Sequence, residues 1–233
     1  MEIIGIDFSI KFPSACITED FKKFKFVSLV NTLNISGIHK KFLIDTEKNL
    51  SDFNVEFLDG VVLKKDNAYH LNERLKLTNY RLFTEHFKNM IKVHLKEKDT
   101  NDTESPILAI EGTSYNSKGN HAFELPAASM LFKSKAFENI LDEKIDNYFV
   151  FPPANLKQAI GCKGNAKKDI IFHQFLKDPG IDFVKQTEFY LFLKEIINNP
   201  RVFNSKRSIV DSPWNDLIDA YLAVLNLYKI INS

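Results

Sequence analysis

The 233-residue chain predicts an α/β fold on a mixed sheet, antiparallel on one side and parallel on the other. Three observations predict it. Three strand-like segments follow one another at hairpin distance near the start. After a long amphipathic stretch, apolar strand-like runs alternate with helical patterns. Two of the apolar runs stop on an acid, as strands do where an open sheet gathers ligands beyond its carboxyl ends.

Taken in order, residues 2–8 (EIIGIDF) form a short β-branched run that reads as a buried central strand ending at Asp7. Segments 14–19 (SACITE) and 23–30 (KFKFVSLV) complete an antiparallel meander. Residues 31–54 are polar and weakly patterned, and 54–63 (NVEFLDGVVL) centres on Asp59-Gly60, a two-residue hairpin signal that predicts an inserted hairpin or strand extension. From 71 to 95 the apolar residues Leu71, Leu75, Leu82, Met90, Ile91 and Leu95 recur at helical spacing. Residues 106–112 (PILAIEG) repeat the logic of the first strand and end on Glu111. A helix is expected over 122–141, a buried strand over 147–151, and short helices over 154–160, 167–176 and 186–198. Residues 198–208 read as an exposed basic loop. The last helix begins with Ser212 as N-cap and Pro213 in its first position. The expectation is one domain over 1–233, with five strands (three antiparallel, then two parallel), flanking helices and insertions near 31–66 and 178–208.

Composition narrows the classes. An apolar share of 44% with 21 phenylalanines supplies a sizeable core, and no apolar run approaches the roughly 20 residues of a membrane span. Met1 leads straight into a strand-like run, so no signal peptide is expected. Cys16 and Cys162 have no metal-ligand spacing and suggest no disulfide framework, which makes a reducing, cytoplasmic compartment the default. A net charge of +1 leaves nucleic acid neither required nor excluded, so only local clustering of Lys and Arg argues for it. His70, His86 and His94 pair with no cysteine at zinc spacing and read as exposed or partly packed side chains. The loop GCKGN lacks a Walker pattern and follows a helix rather than a strand. Trp214 reads as an anchor at the start of the last helix.

The acids carry the chemistry. If the strands at 2–8 and 106–112 pair in parallel, Asp7 and Glu111 project into one crevice. Asp216 and Asp219 lie at i and i+3, on a common helix face that can be aimed at them. An acid in a first helical turn is also favoured by the helix dipole, so each taken singly reads as structural. Four carboxylates together repel unless divalent cations sit among them, and an all-oxygen site suits Mg²⁺ or Mn²⁺ rather than zinc. Two such ions about 4 Å apart are a known device for phosphodiester hydrolysis.

Five segments in order resemble the RuvC family of Holliday-junction resolvases, within the RNase H-like (retroviral integrase) superfamily. IIGIDFS is similar to that family's opening strand with its first catalytic aspartate, and NERLKLTNYRLFTEHFKNMI to its first long helix. LAIEGTSYNSKGN resembles the segment with the catalytic glutamate, FVFPPANLKQAIGCKGNAKKDII the lysine-bearing segment, and NDLIDAYLAV the closing helix. The resemblance spans residues 2 to 228. It implies an RNase H-like fold and a Mg²⁺-dependent endonuclease with two ions per site, Mn²⁺ able to substitute, held by Asp7, Glu111, Asp216 and Asp219.

By the same resemblance Lys168 would stabilise charge on the phosphate being cut, Lys157 would hold the backbone nearby, and Lys167 is an adjacent alternative. Tyr115 falls close to the family's stacking aromatic, with Ser114 intervening, and Lys118 could contact phosphate. A basic face around Lys118, Lys157, Lys163, Lys167 and Lys168 is therefore expected. Lys133 and Lys135 suit dimer contacts or a DNA-facing edge equally. The implied partner is branched DNA, chiefly the four-way junction, cut by a homodimer in the cytoplasm. Flaps, forks or nonspecific DNA as substrate, and a non-catalytic DNA-binding role, are the alternatives. The 104 residues from Asp7 to Glu111 (111 − 7) exceed the spacing of compact bacterial members, which puts substrate specificity in question more than chemistry.

Overall fold

The computed structural model describes the chain apart from residues 10, 64–67, 96–104, 113–120, 198, 200–201 and 205–208, and gives only the backbone of 121–125, 203–204 and 209. Its sheet is built from β1 (Glu2–Asp7), β2 (Ser14–Glu19), β3 (Lys23–Asn31), β4 (Phe53–Leu58), β5 (Ile107–Glu111) and β6 (Tyr148–Phe151), in the order β4-β3-β2-β1-β5-β6. β1, β2 and β3 are antiparallel, while β5 and β6 continue from β1 in parallel. That is the predicted mixed sheet, antiparallel on one side and parallel on the other, enlarged by one strand.

The sixth strand corrects the expectation of an inserted hairpin. β4 pairs in parallel with β3, and parallel neighbours need a crossover rather than a tight turn. The crossover is α1 (Gly37–Asn49), in the stretch whose sequence pattern looked merely polar. Ser36 caps it by accepting from the His39 N–H at 3.2 Å, and only Leu43 and Thr46 are buried, which explains the faint periodicity. Asp59-Gly60 ends β4 instead of joining two strands. The backbone beyond it is claimed by a side chain: Val61 N–H donates to Asn79 Oδ1 at 2.6 Å, and Asn79 Nδ2 donates to the Val61 carbonyl at 2.9 Å.

The remaining helices are α2 (Tyr69–His94), α3 (His121–Asn139), α4 (Pro153–Ala159), α5 (Lys168–Lys177), α6 (Glu188–Glu195) and α7 (Trp214–Ile231). A 3₁₀ turn, Asp182–Gln186, precedes α6 and takes the first residue of the helix expected over 186–198. The expected basic loop over 198–208 holds a short strand, β7 (Phe203–Asn204), which pairs antiparallel with β8 (Ile209–Val210) just beyond it. α2 is anchored by Phe83, Phe87, Met90 and Ile91, whereas Leu71 and Leu82 of the expected stripe are exposed.

Both faces of the sheet are covered, so adjacent residues of one strand enter different cores. Ile4 and Ile6 pack with α2 and α3, while Ile3 packs with α7 and the helices beyond it. This is why β1 reads as an unbroken apolar run. α7 is buried almost all round, from Trp214 to Leu227, as befits a helix between a sheet and an outer layer. It lies so close to β1 that a Cβ on Gly5 would sit 2.1 Å from the Ala220 carbonyl oxygen. No described helix is long and apolar enough to cross a membrane.

Candidate metal centre

The parallel pairing of β1 and β5 aligns Ile6 with Ile110, so the next residue of each strand, Asp7 and Glu111, stands side by side at the carboxyl edge. α7 crosses above them and presents the face that carries Asp216 and Asp219. One oxygen each from Asp7, Glu111 and Asp219 lies within 4.8 Å of the others, the one such group of three potential metal ligands found among the described residues. Asp216 stands beside this trio. Its side chain is only 9% exposed, and it hydrogen-bonds with Ser212 and with Asp7. Its Oδ2 is buried without a hydrogen-bond partner among the described residues.

The start of α7 differs from the expected cap. Pro213 occupies the cap position with no side-chain bond, and the helix begins at Trp214. The Ser212 hydroxyl is committed to side chains instead, donating to Asn215 Oδ1 at 3.0 Å and bonding Asp216. A residue expected to satisfy the helix backbone thus orients an acid of the cluster.

Electrostatics follow from crowding. Burial first, then the charges of Glu111, Asp216 and Asp219, raise the Asp7 carboxyl well above its usual range. Burial and Asp219 push Glu111 up to about 8, against the pull of Lys168 and Lys157. Burial raises Asp216 to about 6, with Lys168 opposing. The hydrogen bond between Asp7 and Asp216 works against the rise at Asp216. A set of acids that holds protons near neutrality is one in which positive charge is wanted.

Lys168 supplies part of that charge. From the first turn of α5 its Nζ lies 3.0 Å from Asp219 Oδ2 and 3.9 Å from Asp216 Oδ1, with its side chain half exposed. Desolvation works against its charge, but Asp219, Asp216 and Asp7 outweigh it and raise its pKa. Lys157, on α4, donates its Nζ to the Ala166 carbonyl at 3.0 Å, which ties down the loop leading into α5. Lys163 and Lys167 are exposed on that loop. Tyr115 and Lys118 lie outside the described residues.

Lys133 and Lys135, equivalent by sequence, separate in the fold. Lys135 pairs with Glu138 at 2.7 Å on the surface. Lys133 is 8% exposed; burial lowers its pKa, while the charge of Glu111 acts the other way. Lys133 stands in the buried row Ser129, Ala136 and Ile140, at spacings of four, three and seven.

The donor set fits a hard divalent cation. It is all carboxylate, and two oxygens across one ion at about 2.1–2.4 Å stand about 4.2–4.8 Å apart, close to the spread seen here. Asp7, Glu111 and Asp219 would hold it, and the unpartnered Asp216 oxygen could join them.

No protein-family model matches the chain, and no curated protein sequence matches it. Among solved structures it is similar to Thermus thermophilus RuvC over 99% of this chain and 96% of that one, with 13% identity and a TM-score of 0.46.

Proposed function

We propose that the chain is a metal-dependent endonuclease that hydrolyses phosphodiester bonds in branched DNA, with the four-way junction as its substrate. The observation that supports this is the meeting of Asp7, Glu111 and Asp219 oxygens within 4.8 Å, with Lys168 3.0 Å from Asp219. Bound Mg²⁺ or Mn²⁺, two ions per site, would supply an activated water and a counter-charge for the leaving oxygen. The protein's part is to hold four carboxylates rigidly: two on adjacent strand ends, two on one helix face. Lys168 is placed to exchange its partner Asp219 for the phosphate being cut. Lys163 and Lys167, exposed beside it, would dock the DNA backbone, as would Lys118, with Lys157 holding their loop in shape. Tyr115 would stack on a base opened at the junction. The proposed chemistry is in-line attack by water with no covalent enzyme intermediate.

A symmetric junction calls for two coordinated cuts, hence a two-fold homodimer. Binding through lysines to phosphates makes affinity fall steeply with salt. The test is incubation with labelled four-way junction, flap and duplex DNA plus Mg²⁺, beside Asp216→Asn and Glu111→Gln variants. Paired symmetric nicks confined to the junction and lost in both variants are expected. Equal cutting of all substrates would replace the junction reading with a broader nuclease, and intact binding with no cutting in Mg²⁺ or Mn²⁺ would leave a DNA-binding protein.

A further inference from the structure

Trp214, the chain's one tryptophan, stands two residues before Asp216 and is fully buried. The start of its helix has no side-chain cap, and beside the backbone bond from the Trp214 N–H to the Asp211 carbonyl at 3.1 Å, aromatic packing holds the indole. That packing comes from two stretches far apart in sequence. Phe42 of α1 and Phe53 of β4 lie 6.1 and 5.5 Å from the indole, and Phe189 and Phe192 of α6 lie 6.2 and 5.7 Å from it. Phe189 also stacks on Phe26 of β3 at 4.0 Å, fastening α6 to the sheet.

Polar bonds lock the two stretches together. The Phe189 N–H donates to both Asp52 oxygens, at 3.0 and 3.3 Å, and Ser51 Oγ donates to Glu188 at 2.9 Å. The segments the sequence marks as separate additions thus form one layer around the start of α7. An α-helix is stiff, so a shift or rotation at Trp214 carries Asp216 and Asp219 with it. Gly5 sets how near the middle of α7 comes to β1; the aromatic layer sets where its beginning lies.

We propose that α1, β4 and α6 act as one aromatic brace that aligns Asp216 and Asp219 with Asp7 and Glu111, with Trp214 as the positioning residue at its centre. This rests on the reading of the carboxylate cluster as a divalent-cation site. The brace touches neither the cation nor the substrate and acts only through the helix.

The test is Mn²⁺ affinity, measured by the electron paramagnetic resonance signal of the free ion on protein whose cooperative thermal transition shows it folded. Phe42 and Phe192 are only partly buried, so a Phe42→Leu/Phe192→Leu variant loosens the brace without opening the centre of the core. Mn²⁺ affinity is expected to fall about tenfold in it, the size of effect seen when groups supporting a metal's ligands are lost. Trp214→Phe should retain more affinity than Trp214→Leu. Ile91→Ala removes a buried side chain on the opposite face of the sheet and should lower the melting temperature with affinity unchanged. Wild-type affinity in the double Phe variant, or an equal loss in Ile91→Ala, would overturn the brace. Failure of the wild-type protein to bind Mn²⁺ would instead overturn the cation reading on which it rests.

Discussion

Replacing Gly5 by alanine probes fold and site through one added methyl group. The new Cβ would lie 2.1 Å from the Ala220 carbonyl oxygen and 2.7 Å from Val224 Cγ2. An ordinary carbon–oxygen contact is about 3.3 Å, so α7 must withdraw from β1 by about 1.2 Å. Both obstacles belong to the helix that carries Asp216 and Asp219, and the backbone oxygen has no rotamer by which to escape. Overpacking of this kind costs about 3 kcal/mol, which for a chain of this size lowers the melting temperature by about 6–12 °C. The same withdrawal would draw Asp219 away from Asp7 and Glu111, whose oxygens now lie within 4.8 Å of its own, and weaken their joint hold on one cation. Thermal unfolding followed by circular dichroism, with chelator and with Mg²⁺, checks both parts. Gly5→Ala should melt early and lose most of the Mg²⁺-dependent rise. A variant within about 0.5 kcal/mol of wild type, with its Mg²⁺ response intact, would refute the claim that close approach at Gly5 seats the helix.

Two further outcomes are expected. The metal-free protein should lose stability as pH rises: Glu111, raised from 4.5 to about 8, and Asp216, raised from 3.8 to about 6, bind more protons folded than unfolded, so their contribution is full below about pH 4 and is lost as pH climbs through 6 to 8. Mg²⁺ should offset that loss at the alkaline end by binding the ionised form, and melting curves that are flat with pH in chelator and unaffected by Mg²⁺ would refute the crowded-carboxylate account. Lys168→Met should leave the fold intact, since the side chain is half exposed, yet slow single-turnover junction cleavage by about 10²-fold or more, as loss of a transition-state charge contact does. An unchanged single-turnover rate would remove Lys168 from the chemistry.

Much was legible because it is local. The buried runs ending at Asp7 and Glu111, the spacing of Asp216 and Asp219, and the helices around Lys157 and Lys168 are written in stretches of fewer than twenty residues, where periodicity and turn chemistry act. The pairing of β4 was not legible, for the opposite reason. Its partner β3 lies across a helix that buries only Leu43 and Thr46, so neither the crossover nor the parallel pairing leaves a strong local trace. The role of Ser212 was not legible because a hydroxyl near a helix start can serve either the backbone or a neighbouring acid, and the sequence does not say which is nearer.

By itself, then, the sequence determined the meander, the alternation of strands and helices, and which acids and lysines could share a site. Tertiary structure alone decided that Asp7, Glu111 and Asp219 form the tight trio with Asp216 beside it. It alone decided that Lys133 is buried near Glu111 while Lys135 is spent on the surface, and that residues 37–58 and 182–195 close around Trp214. The physical reason is that side-chain pattern specifies which face of an element is buried, whereas distances between elements depend on contacts such as Gly5 against Ala220, between residues more than two hundred positions apart.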